Sequence, residues 1–287
     1  MKFGMALFGV SPRFYGEIAR TAEQHGFESV WMPEHLVLPV DIPPTYLYSE
    51  SGYPPITADT PMYDAWVVLS AIGAVTETIR LATNVYILPL RHPIVTARAI
   101  TTLDRLTNGR VTLGIGVGWL EEEFEVVDQP FHDRGKRTDE IMELLRKLWR
   151  DDVIEHHTEH YDFGPIKFQP KPIQKQGIPI EVGGTSKPAL RRAGRLGDGW
   201  VETGTKDFDE LASRIAVIQA ARKEAGRENL PFEITSGIGR DLEGVRRAAE
   251  LGVTRVVSGA PATNARVTKE DVMEWIKRYS DEVIAKV

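Results

Sequence analysis

The feature of this sequence that most constrains its fold is the alternation of short apolar runs with longer segments of helical periodicity. This alternation predicts a parallel sheet with crossover helices. Eight runs qualify as strands, which is the number that closes a (β/α)8 TIM barrel, an α/β fold. The predicted strands are 2–8, 28–32, 79–86, 110–116, 178–183, 198–202, 232–237 and 254–258, of which the seventh is the weakest.

Residues that favour helix ends bound the segments between these strands. Gly26 is a candidate left-handed cap. Thr60 and Pro61 predict an N-cap and a first-turn proline, and Thr268 and Asp271 have the spacing of a capping box. The predicted helices are 13–25, 62–76, 94–106, 136–150, 187–196, 241–251 and a last one after Thr268.

Two segments are longer than a barrel connection needs. Residues 36–61, rich in proline and tyrosine, follow the second predicted strand, and residues 151–177 separate the fourth strand from the fifth. Connections of this length are commonly lids or substrate walls. Since no segment resembles a linker, we expect a single domain over residues 1–287.

Composition excludes several classes of function. The chain has no cysteine, which excludes disulfides, thiolate catalysis and cysteine-bound metals. Its net charge of −6 gives no indication of nucleic-acid binding. No apolar run reaches the roughly 18 residues of a membrane span, and the N-terminal residues lack the layout of a signal peptide. We therefore expect a soluble, cytoplasmic protein whose partner is a small organic substrate.

The chemistry of a TIM barrel lies on the loops that leave the carboxyl ends of its strands. Glu34 and His35 follow the second predicted strand, and a histidine gives or takes a proton near neutral pH. Asn84 interrupts the third strand, where its amide could bond a planar heterocycle. On the residues alone, a loop-capping histidine and a satisfied buried amide stay open. Arg91 and His92 precede a proline and are interpreted as loop or N-cap residues.

The fourth predicted strand ends in a glycine-rich stretch, G-I-G-V-G-W over residues 114–119. Its spacing is not the G-x-G-x-x-G of a dinucleotide site. Three glutamates follow at 121–123, where a phosphate would need positive potential, so we exclude phosphate binding there and note that these acids suit a helix N-terminus. Gly116 and Gly118 instead favour the close approach of a flat ring to the backbone.

The turn after the fifth predicted strand is the best phosphate site in the sequence. Gly183 and Gly184 let the backbone wrap an anion, and Thr185 and Ser186 add hydroxyl donors. A helix begins next, and four basic residues within 187–195 supply positive potential. A plain glycine turn before a capped helix is the structural alternative.

The densest group of potential metal ligands is His156, His157, Glu159 and His160. It does not have the H-E-x-x-H pattern of a zinc helix, and it lies away from any predicted strand end. We therefore interpret it as a solvated loop and predict no metal site.

With these residues in order, the sequence resembles the luciferase-like monooxygenase superfamily, and within it the branch of F420-dependent oxidoreductases. The resemblance extends from about residue 1 to residue 260. It rests on the order of five segments rather than on any one of them. The segments are 26–35, 77–93, 103–124, 134–149 and 178–200.

This resemblance implies a (β/α)8 barrel that binds coenzyme F420 or FMN and forms a homodimer. It implies that His35 is catalytic and lies beside the cofactor ring, and that Asn84 and Val85 form a cis peptide bond behind that ring. The turn at 183–185 would hold the cofactor phosphate. Some relatives carry a catalytic glutamate where this chain has Trp119, so the group that handles the proton is not given by the resemblance.

The expected function is hydride transfer between coenzyme F420 and an unidentified organic substrate. Three alternatives stay open. One is an FMN-dependent luciferase-like monooxygenase on the same scaffold. The second is a cofactor-free barrel isomerase or hydrolase that would use His35 and Glu34 on a phosphorylated substrate. The third is a non-catalytic protein that binds a flavin or deazaflavin.

Overall fold

A closed barrel of parallel strands forms the centre of the structure. The computed structural model describes residues 1–260 and 267–287. Its strands, in chain order, are β1 (Lys2–Ala6), β2 (Ser29–Met32), β3 (Arg80–Thr83), β4 (Tyr86–Ile87), β5 (Val111–Gly116), β6 (Ile154–His157), β7 (Asp162–Ile166), β8 (Ile180–Gly183), β9 (Gly199–Val201), β10 (Glu233–Ser236) and β11 (Arg255–Ser258).

Eight of these strands close the barrel in the order β3-β2-β1-β11-β10-β9-β8-β5, and pairing of β3 with β5 completes the ring. The pairs are parallel, for example Gly4 opposite Ser29 and Leu81 opposite Val111. β4 continues beyond β3 and pairs with the end of β5. Each of the eight predicted strands overlaps one barrel strand, so the predicted TIM barrel is confirmed.

Helices cover the outside of the barrel. Within the described ranges, none of them is both long enough and apolar enough to cross a membrane. The helices are α1 (Tyr15–Gln24), α2 (Ala65–Gly73), α3 (Pro93–Leu106), α4 (Glu121–Val126), α5 (Arg134–Arg150), α6 (Lys187–Leu196), α7 (Phe208–Glu224), α8 (Leu242–Glu250) and α9 (Lys269–Glu282).

The N-cap predicted at Thr60 is wrong, and that of the last helix is confirmed. α2 begins at Ala65 because Asp64 accepts a hydrogen bond from the Val67 amide at 2.9 Å. The Thr60 hydroxyl instead accepts from an amide within its own turn. At the last helix the two bonds of the capping box between Thr268 and Asp271 are both present.

One long helix, α7, was missing from the prediction. Its buried positions, such as Leu211, Ile215 and Ile218, are separated by charged and small residues that obscure the apolar stripe. The signal that could have revealed it is Asp207 followed by Glu210. The Asp207 side chain accepts from the Glu210 amide at 2.8 Å and so caps the helix.

The segment 151–177 is also more ordered than predicted. Strands β6 and β7 form an antiparallel hairpin in it, so the interpretation of His156 as part of a solvated loop is wrong. His156 is buried, and its Nε2 lies 2.8 Å from Glu140 on α5. His160 Nδ1 lies 2.6 Å from the same carboxylate, so both histidines connect the hairpin to α5.

The barrel interior is filled by Trp31, which lies on β2. Gly4 leaves room for its ring, because a side-chain carbon on Gly4 would lie 2.6 Å from Trp31 Nε1. Gly114 is needed for a different reason, since a side-chain carbon there would overlap the carbonyl oxygen of Thr83. The Trp31 N–H donates to Ser29 Oγ at 2.8 Å, so the buried ring carries no unpaired donor.

A buried ion pair lies next to this tryptophan. The guanidinium of Arg255 donates to Glu181 Oε1 at 2.7 Å and to Glu28 at 3.0 Å, and it lies 5.2 Å from the Trp31 ring. Thr235 donates to the other oxygen of Glu181 at 2.7 Å. Since Glu181 and Arg255 are almost fully buried, each charge depends on the other for solvation.

We expect Arg255→Met to lower the free energy of unfolding by about 3–5 kcal/mol, because it leaves Glu181 as a buried charge without a partner. Urea denaturation followed by circular dichroism measures this change. The control is Glu17→Gln, which removes an exposed pair with Lys269 and costs about 1 kcal/mol or less. Equal stability losses in the two variants would contradict a central role for the buried pair.

Candidate functional site

A cavity of about 420 Å³ lies at the carboxyl ends of the barrel strands. That volume is within the range of small-molecule sites in proteins. Thr185 is the one sequence-predicted site residue that does not line it. The predicted site residues that line the cavity are His35, Asn84, Val85, Gly116, Gly118, Gly183, Gly184 and Ser186.

His35 is held in the cavity wall by a buried carboxylate. Its Nδ1 lies 2.9 Å from Oε2 of Glu123, and the other oxygen of Glu123 accepts from the Leu36 amide at 2.5 Å. Glu123 is completely buried. A carboxylate that accepts on both oxygens fixes the proton of His35 on Nδ1. Nε2 has no hydrogen-bond partner among the described residues, which leaves its lone pair for a molecule in the cavity.

Glu123 is the site residue that sequence reasoning missed. It was interpreted as one of three acids that suit a helix N-terminus, and it does lie in the first turn of α4. Because α4 follows a barrel strand, its first turn also reaches the end of the barrel where His35 lies. The two residues are 88 positions apart, so no local pattern links them.

Glu34, the neighbour of His35, forms a second buried pair. One of its oxygens accepts from the Arg91 guanidinium and the other from the Ile87 amide at 3.1 Å. Burial raises the pKa of Glu34 to about 7, although Arg91 and the Ile87 amide favour its charged form. Arg91 lies in the loop before α3, as predicted, but its pairing with Glu34 was not predicted. His92 does cap α3, since its Nδ1 accepts from the Ile94 amide at 3.2 Å.

Aromatic side chains form the wall opposite the barrel. Trp119 contacts His35 edge-on at 5.9 Å between ring centroids and Tyr46 at 5.1 Å, and Tyr46 contacts Tyr48 at 5.2 Å. Tyr46 and Tyr48 come from the long segment 36–61 and line the cavity, whereas Tyr53 is 54% exposed and does not. The segment therefore contributes two tyrosine rings to the wall of the cavity.

The peptide bond between Asn84 and Val85 is cis, as the resemblance implied. Asn84 lines the cavity, and its side-chain amide has no hydrogen-bond partner among the described residues. Val85 packs where side chains on Gly116 and Gly183 would otherwise lie, because an added carbon at either position would come within 2.7 Å of its methyl groups. The space at Gly116 is thus taken by Val85 rather than by the ring that the sequence suggested.

The turn after β8 has the geometry of an anion site. Gly184 adopts φ +104°, a conformation that favours glycine, and its carbonyl accepts from Trp200 Nε1 at 2.9 Å. The backbone N–H groups of Thr185 and Ser186 have no acceptor in the part of the chain that the structure describes. Since α6 begins directly after them, these donors lie at the positive end of a helix.

Comparison with known proteins assigns the family. The luciferase-like monooxygenase family matches residues 1–240. The chain belongs to this family. Its match covers most of the barrel and every residue of the cavity described above. Relatives of this chain include F420-dependent dehydrogenases, and membership of this family supports an F420- or flavin-dependent oxidoreductase.

Individual relatives extend over nearly the whole chain. A protein of uncharacterised function from Mycobacterium tuberculosis strain H37Rv is 36% identical over 296 residues, which is 100% of both chains. The F420-dependent glucose-6-phosphate dehydrogenase of Amycolatopsis mediterranei is 28% identical over 96% of this chain and 84% of that protein. The structure of the F420-dependent tetrahydromethanopterin reductase from Methanopyrus kandleri has the same fold, with a TM-score of 0.77, 18% identity and 99% of each chain covered.

We expect the neutral imidazole of His35 to carry its proton on Nδ1, because Glu123 accepts there. Nitrogen-15 NMR of histidine-labelled protein distinguishes the two ring nitrogens by chemical shift. In Glu123→Ala the acceptor is gone, so the Nδ1–H form should lose its dominance. A wild-type spectrum with the proton on Nε2 would contradict the geometry.

The raised pKa of Glu34 predicts a pH dependence of stability. Between its usual value of 4.5 and about 7, the unfolded chain loses this proton while the folded chain keeps it. The contribution of Glu34 to stability is therefore full below pH 4.5 and is lost as the pH rises through 7.

Urea denaturation at pH 5 and pH 8 tests this dependence. Wild type should lose about 2 kcal/mol more stability than Glu34→Gln over this interval. The control Glu50→Gln removes an exposed carboxylate and should follow the wild-type pH profile. Identical pH profiles of stability for wild type and Glu34→Gln would contradict the raised pKa of Glu34.

Proposed function

We propose that this protein transfers a hydride between coenzyme F420 and a small organic substrate bound in the barrel-end cavity. The observation that carries this proposal is the presence, around one cavity, of a histidine with a fixed tautomer, an unpartnered amide and an anion-binding turn. A hydride-transfer site needs a surface that binds the planar ring of the cofactor and hydrogen-bond donors that bind its phosphate. It also needs a group that exchanges a proton with the substrate.

The residues present fit such a cofactor. The amide of Asn84 supplies a hydrogen-bond partner for the edge of a flat heterocycle, and Val85 supplies an apolar surface beside it. The unpaired N–H groups of Thr185 and Ser186 would hold a phosphate. Ser186 lines the cavity, and Thr185 precedes it in the same turn.

One observation favours F420 over FMN: a relative that matches 96% of this chain is named as an F420-dependent dehydrogenase. Solved structures with the same fold include F420-dependent enzymes, a monooxygenase and a lyase that holds a modified FMN, so they do not separate the two cofactors. The family name favours the alternative, an FMN-dependent monooxygenase. The homodimer that the resemblance implies stays a prediction.

F420, when bound, supplies a ring carbon that accepts or donates a hydride. The protein supplies the group that accepts or donates the proton. Nε2 of His35 takes a proton from a substrate hydroxyl, or returns one, because Glu123 holds the ring with that lone pair available. Glu123 is a positioning residue in this account, since it acts through His35. The aromatic wall of Trp119, Tyr46 and Tyr48 keeps water from the reacting atoms.

Parallel equilibrium titrations of the purified protein with oxidised F420 and with FMN test the cofactor. We expect micromolar or tighter binding of F420, with FMN at least tenfold weaker, read by fluorescence and absorbance. Preference for FMN would move the protein to the monooxygenase alternative. Binding of neither would contradict the proposed function.

The variant His35→Ala tests the proton-handling group. We expect turnover to fall at least tenfold with F420 affinity little changed, because the loss affects proton transfer rather than the anion turn. The control is His132→Ala, which removes a histidine whose side chain is 91% exposed and should leave turnover unchanged. Unchanged turnover in a cofactor-loaded His35→Ala protein would remove His35 from the mechanism.

A further inference from the structure

A second, basic pocket lies beside the anion turn. Its volume is about 250 Å³, and it is separate from the main cavity. The first turn of α6 forms one end of it, directly after Ser186, which lines the main cavity. The residues that line this basic pocket are Asp139, Lys187, Pro188, Arg191, Arg192 and Arg195.

Only one of the four basic side chains in this pocket is neutralised. Arg192 is buried, and its guanidinium pairs with Asp139 and donates to the Gly135 carbonyl at 2.9 Å. Lys187, Arg191 and Arg195 form no ion pair with any carboxylate in the described part of the chain. They are exposed at the surface of α6.

The positive stripe contrasts with the overall charge of this protein, which is −6. Other arginines near the same helix do have a carboxylate partner. Arg146 and Arg227, for example, both contact Asp198. Three adjacent cations without a counter-charge repel one another, so an anionic ligand that neutralises them would bind favourably.

The spacing of the stripe suits an extended oligoanion. Lys187, Arg191 and Arg195 follow one another at intervals of four residues, which places them on one face of α6. At 1.5 Å per residue, the stripe offers a positive charge about every 6 Å over about 12 Å. It starts where the phosphate turn ends and leads away from the cavity.

We propose that this stripe binds the carboxylates of the cofactor beyond its phosphate, namely the oligoglutamate tail of F420. This inference rests on the proposed function and deepens it, because it makes the outer face of α6 the determinant of cofactor choice. FMN ends at its phosphate and would leave Lys187, Arg191 and Arg195 without a ligand. F420 continues past the phosphate with at least one free carboxylate on each glutamate.

The test compares equilibrium dissociation constants for two forms of F420, one with a long glutamate tail and one that ends at the phosphate-bearing group. Wild type should bind the long-tailed form at least tenfold more tightly, and this advantage should shrink as salt rises, because the stripe is exposed. In the triple variant Lys187→Gln, Arg191→Gln, Arg195→Gln the advantage should fall to less than twofold. Affinity for the tail-less form should stay within about threefold of wild type.

A matched control separates the stripe from the overall charge. Lys223→Gln, Lys277→Gln and Arg278→Gln together remove the same charge from exposed positions on α7 and α9. This control should keep the full tail advantage. Thermal unfolding of both triple variants checks that each is folded.

The outcomes distinguish the inference from the function on which it rests. If wild type binds both forms of F420 equally, or if the α6 variant keeps the tail advantage, the tail site is wrong and the F420 proposal stands. If the control variant loses the preference for long-tailed F420 as fully as the α6 variant does, the preference depends on net charge. That result would contradict a tail-binding site on α6. If wild type binds neither form, the proposed function and the tail site fail together.

Discussion

Closure of the sheet by the pairing of β3 with β5 is the constraint on which the rest of the structure depends. Because all eight barrel strands are parallel, closure brings their carboxyl ends, and the loops that follow them, to one rim. Residues far apart in the chain therefore meet there, such as His35 after β2 and Glu123 in α4. The interior below is occupied by Trp31 and by the ion pair of Glu181 with Arg255, so the barrel is a packed core and the cavity is confined to the rim.

The rim divides into two electrostatically different halves. On one side, the carboxylates of Glu34 and Glu123 lie beside His35 in a region with little access to water, which suits proton transfer. On the other side, the turn after β8 offers unpaired N–H groups, and the basic face of α6 continues from it. An anionic cofactor whose ring must lie near a proton-transfer group is bound favourably only in the orientation that places its phosphate on the basic side.

The sequence predicted the elements well and the pairwise contacts poorly, for physical reasons. All eight strands were predictable because a buried strand needs a continuous apolar run, and α6 occupies the predicted range 187–196, between the cap residues Ser186 and Gly197. α7 was missed because its apolar stripe is diluted by charged residues. The anion turn was predictable because its glycines and hydroxyl residues are contiguous. The partner of His35 was not, since Glu123 reaches it only through the closure of the barrel.

The central claim is that F420 binds at this rim with its ring beside His35 and its phosphate at the turn after β8. A crystal structure of the protein with oxidised F420 tests it most directly. The account predicts the deazaflavin ring within hydrogen-bond distance of the Asn84 amide, and phosphate oxygens within hydrogen-bond distance of the N–H groups of Thr185 and Ser186. A ring bound outside the cavity, or a phosphate held away from that turn, would contradict it.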